Sequence, residues 1–446
     1  MNQASQPVTF TETGANTGIF TNWDDSLKTN MYINAAAARG TQATFSWDDV
    51  EYSVLYMPFW GTIEFNTEGS AGGTTAAAIG SEWNSGELVE IILDDNDMNL
   101  DARNQEQMTT GANTTIVPAV KIGSPITLTT LDEIYLAHDG SQSASIQADA
   151  GLVTIDKDIN DTQCSSDYGA AGTAGSYVSC YEKYSERAVI VSSSANDQTV
   201  SDNDQLKFVF NGTTVGDLKD MISNANGTAA YTYIQYDFRS INGGSNDSNY
   251  YLNFTIGDDS IDTCTANDAT SYTNGHCSEA RFAEGLIGRA LINAPGDTLK
   301  GLGSTATNAL TDANALRINV QLNSIDGSAL GDTISSGTTY PLTMDVVTFG
   351  QSNDGVTAGD RHNNSIYRLE VDEVDENGGI FVGELDFIML NQINVNQTST
   401  YNDTKTDHEE NRIIVHNDLT DEDEIRINYL DTVSYTHLTL PTKRIV

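Results

Sequence analysis

Three features of this 446-residue sequence predict an all-β chain built of antiparallel β-sandwich domains. Apolar and polar residues alternate with period two along many short runs. Val, Ile, Thr, Tyr and Phe dominate those runs, and Gly, Asn, Asp and Ser fill the gaps between them. Many short strands separated by turn clusters pack as sandwiches. The length implies roughly three or four domains. A hydrophobic share of 38% is low for a compact enzyme, while an aromatic share of 8% argues against global disorder.

In chain order the predicted strands are ELVEIILD (87–94), RAVIVSSS (187–194), QLKFVFNG (205–212) and YLNFTIGD (251–258). They continue with ALRINVQLNSI (315–325), YPLTMDVVTFG (340–350), IYRLEVDEV (366–374) and DEIRINYLD (423–431). TVGDLKDMISNA (214–225) reads as a short helix capped by Thr213 or Thr214, and SEARFAEGLIGRALI (278–292) fits helix or strand.

One turn is written twice. EVDENGGIF (373–381) aligns with ETGANTGIF (12–20), placing Glu373, Asn377, Gly379, Ile380 and Phe381 on Glu12, Asn16, Gly18, Ile19 and Phe20. Val8 and Phe10 stand where Leu369 and Val371 stand, and each copy leads to a closing strand ending in acid, ATFSWDD (43–49) and IRINYLD (425–431). The copies lie about 360 residues apart, too far for a solenoid, so the repeat is one of domains and the chain is expected to start inside one. The tail VSYTHLTLPTKRIV (433–446) carries no acid. Its codons can be written as a sequencing-library adapter, and no fold is expected of it.

Lys+Arg 21 against Asp+Glu 63 gives a net charge of −42. Such a surface repels nucleic acid and anionic lipid and attracts cations. No stretch is apolar enough to span a bilayer, and the N-terminal residues show neither a basic n-region nor an apolar h-region. Cys164 with Cys180, and Cys264 with Cys277, form two sequence-local pairs, read as disulfides in an oxidising compartment; the alternative is free buried thiols.

The runs at 39–56, 80–106, 122–128, 233–241 and 413–431, and above all YPLTMDVVTFGQSNDGVTAGDRHNNSIYRLEVDEVDENGGIFVGELDFIMLNQIN (340–394), resemble the S-layer proteins of ammonia-oxidising archaea. The resemblance covers nearly the whole chain apart from the tail, and residues 142–228 match least. It implies tandem immunoglobulin-like sandwiches in a larger secreted protein that tiles a cell surface. The expected division is a partial domain at 1–78, domains at 79–198, 199–298 and 299–432, and the tail.

The strongest local constellation is DDNDMNLDARNQE (94–106). Asp95, Asp97, Asn99, Asp101 and Glu106 take positions one, three, five, seven and twelve of a calcium loop, in which alternate oxygens curl round one Ca2+. Leu100 in place of the usual Gly and a strand before the loop depart from that pattern. The alternative is an Asx-rich turn held by side-chain-to-backbone bonds. Asp156, Asp158 and Asn160 make a second, shorter run, and Asp372, Glu373, Asp375, Glu376 and residues 420–424 could hold ions between domains or face solvent. Sequons stand at Asn113, Asn160, Asn211, Asn226, Asn246, Asn253, Asn363, Asn396 and Asn402, about as many as chance gives in this composition.

Enzyme motifs are missing: there is no His-Glu-x-x-His, Gly-x-Ser-x-Gly or phosphate-binding Gly-x-x-x-x-Gly-Lys. The expectation is a non-enzymatic, glycosylated subunit of a surface layer, self-associating into a two-dimensional lattice through cation-bridged acidic faces. The alternatives are a calcium-rigidified adhesin and, least favoured, a secreted carbohydrate-active enzyme.

Overall fold

A computed structural model of the chain describes residues 9–22, 41–48, 50–56, 61–66, 82–99, 103–111, 117–137, 152–155, 176–182, 186–191, 198–200, 202–224, 231–246, 248–258, 277–295, 297–302, 310–327, 330, 332–334, 339–351, 361–376, 378–393, 397–402, 407–408, 410–415, 427–430, 437–439 and 444–445. Strands dominate these residues, mostly in antiparallel sheets, and helices are few. The alternating runs become Val89–Asp94, Arg187–Val191, Gln205–Thr214, Tyr250–Asp258, Ala315–Ser324 and Thr339–Gln351. Of residues 423–431, Asn428–Leu430 is described as strand.

Three elements add detail. Residues 366–374 divide at Glu370 into Arg361–Leu369 and Val371–Glu373, because the chain there leaves one sheet for another. The helix is Val215–Asn224, started by a reciprocal box: Thr214 N donates to Asp217 Oδ2 (2.7 Å) and Asp217 N to Thr214 Oγ1 (3.1 Å). The ambiguous 278–292 is two strands, Arg281–Glu284 and Ile287–Ala294, joined through Gly285 at φ +82° and entering different sheets. Pairing to Tyr250–Asp258 on one side and Tyr231–Asp237 on the other overrides its local helix propensity.

The strands build two sandwiches, and one interrupts the other. The inner sandwich takes one sheet from Leu131–Ala137, Gln205–Thr214, Ala315–Ser324, Tyr250–Asp258 and Arg281–Glu284, each antiparallel to the next. Its facing sheet runs Ile287–Ala294, Tyr231–Asp237, Thr339–Gln351, Arg187–Val191 and Ser176–Glu182. Between them lies a core that includes Phe208, Ile234, Tyr236, Phe254, Ile318, Val320 and Val346.

The outer sandwich draws on both flanks of that insertion. Val89–Asp94 pairs with Ile380–Met389 from Ile380↔Asp94 to Leu385↔Val89, with Thr62–Phe65 on its other edge. Ile380–Met389 also pairs with Val371–Glu373 and, in parallel, with Glu410–Val415. A second sheet joins Ala119–Ile122, Arg361–Leu369 and Asn428–Leu430. Ile91, Leu93, Met108, Tyr367, Leu369, Val371, Phe381, Phe387 and Tyr429 fill the core between the sheets.

This arrangement corrects the expected domain division. Boundaries at 78, 198 and 298 cut through paired strands: 62–65 bonds to 89–94, and 205–214 to both 131–137 and 315–324. Sequence-adjacent runs looked like successive domains, but the pairs of highest sequence separation decide which core each strand joins. Two hairpins, Thr11–Glu12 with Phe20–Thr21 and Thr41–Trp47 with Val50–Tyr56, form sheets of their own. Two short pieces of the tail pair as well, His437–Thr439 with Asn428–Leu430 and Arg444–Ile445 with Glu82–Trp83. Open strand edges accept main chain largely irrespective of its side chains.

The two sandwiches share a seam. Tyr231–Asp237 is buried on both faces: Ile234 and Tyr236 enter the inner core, while Tyr231 and Tyr233 pack with Val347, Phe349, Leu390, Tyr401 and Ile414 behind it. Arg289 lies over the rings of Tyr233 and Phe349, 5.9 and 5.7 Å from their centroids. Arg368 grips Asp345 through NH1 at 2.5 Å and NH2 at 2.9 Å, and neither side chain is exposed. Burial pushes the Asp345 carboxyl up and the Arg368 guanidinium pulls it back. Beside them Arg239 binds Asp237 (2.7 Å) and Glu370 (2.6 Å), the Thr110 hydroxyl lies within hydrogen-bond distance of both acids and donates to one of them, and Arg187 Nη1 donates to Thr110 O at 2.9 Å.

Arg368→Met leaves Asp345 buried without its cation and should lower unfolding stability in a denaturant titration by about 3–5 kcal/mol. The Asp345→Leu/Arg368→Met pair should recover most of that loss.

Candidate functional site

The repeated turn and the predicted calcium loop meet in the outer sandwich. Val371–Glu373 runs into the turn, which needs a left-handed residue at Gly379 (φ +61°), and Ile380–Met389 returns. Val374 N donates to Ile380 O at 2.8 Å and Gly378 N to Asp375 O at 3.3 Å. The Glu373 carboxylate closes the turn from inside: its Oε1 accepts from Gly379 N (2.9 Å) and Gly378 N (3.2 Å). Its Oε2 accepts from Glu106 N at 3.1 Å, while Glu373 N donates to Glu106 O at 2.9 Å. Burial works to raise the Glu373 pKa, but those N–H groups and the Glu106 carboxyl hold it below the usual range. Next to it, burial pushes Asp372 up, with Glu370 adding to the rise and Gln107 opposing it.

The first copy is the same turn in three dimensions. Glu12 faces Phe20 as Glu373 faces Phe381. Thr13 N donates to Ile19 O at 2.9 Å, Thr17 N to Gly14 O at 3.3 Å and Gly18 N to Glu12 Oε1 at 2.8 Å, with Gly18 at φ +68°. Five aligned residues therefore mark a carboxylate-capped hairpin, in which the Glu supplies the anion and the Gly supplies both the donor and the positive φ.

The start of the predicted calcium loop forms an Asx turn. Asp95, 1% exposed, caps the single helical turn Asn96–Met98: its Oδ1 accepts from Asp97 N at 3.0 Å. Its Oδ2 accepts from Tyr429 OH at 2.6 Å, and a Cβ on Gly61 would stand 3.0 Å from that same oxygen. Asp95 N donates to Gly379 O at 2.8 Å, which joins the loop to the turn. Glu106, expected at position twelve of a calcium loop, is tied to Glu373 instead, and Asp97 and Asn99 are half-buried. Among the described residues no group of three His, Cys, Asp or Glu side chains is placed to hold a metal ion. Asp95 directs both oxygens at protein donors, as a main-chain cap does. Asp101, Asp156, Asp158 and Asn160 lie outside the described residues.

Cys277 is 1% exposed and disulfide-bonded. Cys180 falls in the strand Ser176–Glu182, while Cys164 and Cys264 lie outside the described residues. Two sequons are corrected by burial. Asn253, 8% exposed, points Nδ2 at Gln321 Oε1 (3.4 Å), and Asn363, 3% exposed, donates Nδ2 to Ile414 O. A glycan is attached through that nitrogen and needs open solvent, so neither position suits one. Asn246 is exposed, with its Oδ1 accepting from Leu286 N at 2.9 Å. Asn211 lies in Gln205–Thr214 and Asn402 ends Thr398–Asn402; Asn113, Asn226 and Asn396 lie outside the described residues. The seam cluster of Thr110, Asp237, Arg239 and Glu370 gave no sequence signal, because its members come from three distant runs.

The docked turn predicts an asymmetry between the copies. Phe381, fully buried, should cost about 3–5 kcal/mol when truncated in Phe381→Ala. Phe20, 57% exposed, should cost within about 0.5 kcal/mol in Phe20→Ala. The contribution of Glu373 is complete above the unfolded glutamate value of about 4.3 and is lost as pH falls through its lower folded value. Glu373→Gln should therefore melt lower at neutral pH and lose less on acidification than the wild type.

No family model matches the chain and no curated protein sequence does, so its functional reading rests on its own residues.

Proposed function

We propose that the chain is a structural subunit of an extracellular surface layer, of immunoglobulin-like modules like the S-layer proteins it resembles in sequence. The observation that carries this reading is the carboxylate-capped hairpin built twice with the same register, once inside a sandwich and once on the surface. A chain that repeats a docking element over so long a separation is organised as modules for assembly. The net charge of −42 gives those modules an electrostatic role, since a porous sheet of carboxylates concentrates cations at a surface and repels anions. Divalent cations, calcium first among them, bridge acidic faces of neighbouring copies, and glycans sit at sequons that reach solvent, such as Asn246. Self-repulsion among the acids makes assembly depend on cations and salt.

Electron microscopy of the purified chain with calcium should show ordered two-dimensional sheets that dissolve on chelation and return when calcium is restored. A chain that stays monomeric in both conditions would contradict the reading.

A further inference from the structure

In the inner sandwich the strands Gln205–Thr214, Ala315–Ser324 and Tyr250–Asp258 lie side by side in one sheet. Their inward residues, among them Phe208, Phe254, Ile318 and Val320, fill the core. The residues between those point to the reverse face, and most of them are polar. A polar reverse face is ordinary when it meets water. This one does not: Gln205, Lys207, Asn253, Thr255, Asn319 and Gln321 are all buried, none above 8% exposure.

The register orders these side chains in rows. Gln205 stands opposite Gln321, which stands opposite Asn253; one step along, Lys207 stands opposite Asn319, which stands opposite Thr255. In the first row Asn253 Nδ2 donates to Gln321 Oε1 at 3.4 Å, and Gln321 Nε2 donates to Asn203 Oδ1 at 3.2 Å. In the second, Asn319 Nδ2 reaches Thr255 Oγ1 only at 3.5 Å, and its buried Oδ1 accepts no hydrogen bond.

Lys207, 3% exposed, is the one buried lysine among the described residues. Lysine is rarely taken out of water, so its position calls for a reason. Opposite residues of neighbouring antiparallel strands share a face, with Cβ atoms about 4.5–5.5 Å apart. The four-carbon stem of Lys207 therefore lets Nζ reach the carboxamide carbon of Asn319. The nitrogen of that carboxamide is turned to Thr255, on the strand across from Lys207.

We infer that Lys207 and Asn319 are joined by an intramolecular isopeptide bond, a covalent tie between two neighbouring strands of the inner sandwich. Nζ of the neutral amine attacks Cγ of Asn319. The Nζ–Cγ bond forms, the Cγ–Nδ2 bond breaks, and Nδ2 departs as ammonia with the proton that Nζ gives up. No oxidant or other reactant is consumed. Removal from water disfavours the ammonium form of a lysine, and a fixed register replaces a chance encounter with a standing one. The register also sets an acid beside the pair: Glu133 stands opposite Val209, two residues along from Lys207. An acid at that register position can relay the proton from the amine to the departing nitrogen. The bond closes the chain from Lys207 to Asn319 around the strands Tyr231–Asp237 and Tyr250–Asp258, so the inner sandwich can no longer open strand by strand. The inference stands apart from the surface-layer reading.

The test is the intact mass of the full chain after reduction and denaturation. The expected mass is one ammonia below the sequence value, and proteolysis should yield a branched peptide joining the segments around Lys207 and Asn319. Lys207→Arg and Asn319→Ala should each restore the full mass and lower the melting temperature. The wild-type mass decides by itself, even where a variant fails to fold. A wild-type chain of full sequence mass would overturn the inference. So would an ammonia loss that survives Lys207→Arg, because cyclisation at an Asn–Gly step such as Asn211–Gly212 also releases ammonia. A linked chain that forms no sheets with calcium would support the inference while contradicting the proposed lattice.

Discussion

The outer sandwich is made from two parts of the chain separated by a complete second sandwich, and closing it requires Ile380–Met389 to find Val89–Asp94 in one register. A slip of one residue would turn Phe381 and Leu385 out of the core. The Glu373 carboxylate removes that freedom. It fixes Gly378 and Gly379 with one oxygen and Glu106 with the other, so the turn and the segment it must meet are bound to the same anion. Asp95 does the matching work from the opposite side, joining Gly379 O through its N–H and Tyr429 through its carboxylate. Two acids in a chain of net charge −42 are thereby held by protein hydrogen-bond donors.

Once the outer sandwich is closed, the seam makes the pair of sandwiches one packed body. Thr339–Gln351 serves three surfaces: its inward residues fill the inner core, Val347 and Phe349 fill the seam, and Asp345 receives Arg368. Buried charge in such a place specifies which faces meet more than it adds stability, because desolvation offsets much of the attraction. The buried ion pairs and the aromatic cluster around Arg289 therefore set the relative placement of the two sandwiches. That placement leaves the two N-terminal hairpins presenting aromatic faces away from either core. The proposed role in a surface layer draws on this contrast between an inwardly satisfied repeat and an outwardly open one.

The all-β class and six main strands were legible in the sequence because period-two alternation with β-branched residues has one structural meaning. The capped helix was legible because Thr214 and Asp217 stand at box spacing. The repeated turn was legible for a sharper reason: a Glu acceptor and a Gly donor recur at fixed separation, and the structure gives each its partner. The domain division was not legible. The pairs that determine it, such as Ile380 with Asp94 and Gln205 with Gln321, are long-range and leave no local mark. The calcium spacing left two readings open, because an Asx turn and a calcium loop use the same residue types. Only the aim of the carboxylate separates them, and Tyr429, 334 residues away, sets that aim. Sequons carry no burial signal, which is why Asn253 and Asn363 entered the expectation.

Amide hydrogen exchange on the intact chain measures the central contrast most directly. Gly379 and Gly18 donate to equivalent glutamates at 2.9 and 2.8 Å, but one turn is clamped by residues 89–108 and the other is open. The amides of Gly379 and Asp95 should exchange only with opening of the outer sandwich, and that of Gly18 should exchange orders of magnitude faster through local opening. Equal protection of Gly18 and Gly379 would contradict the assignment of one copy as docked and the other as exposed.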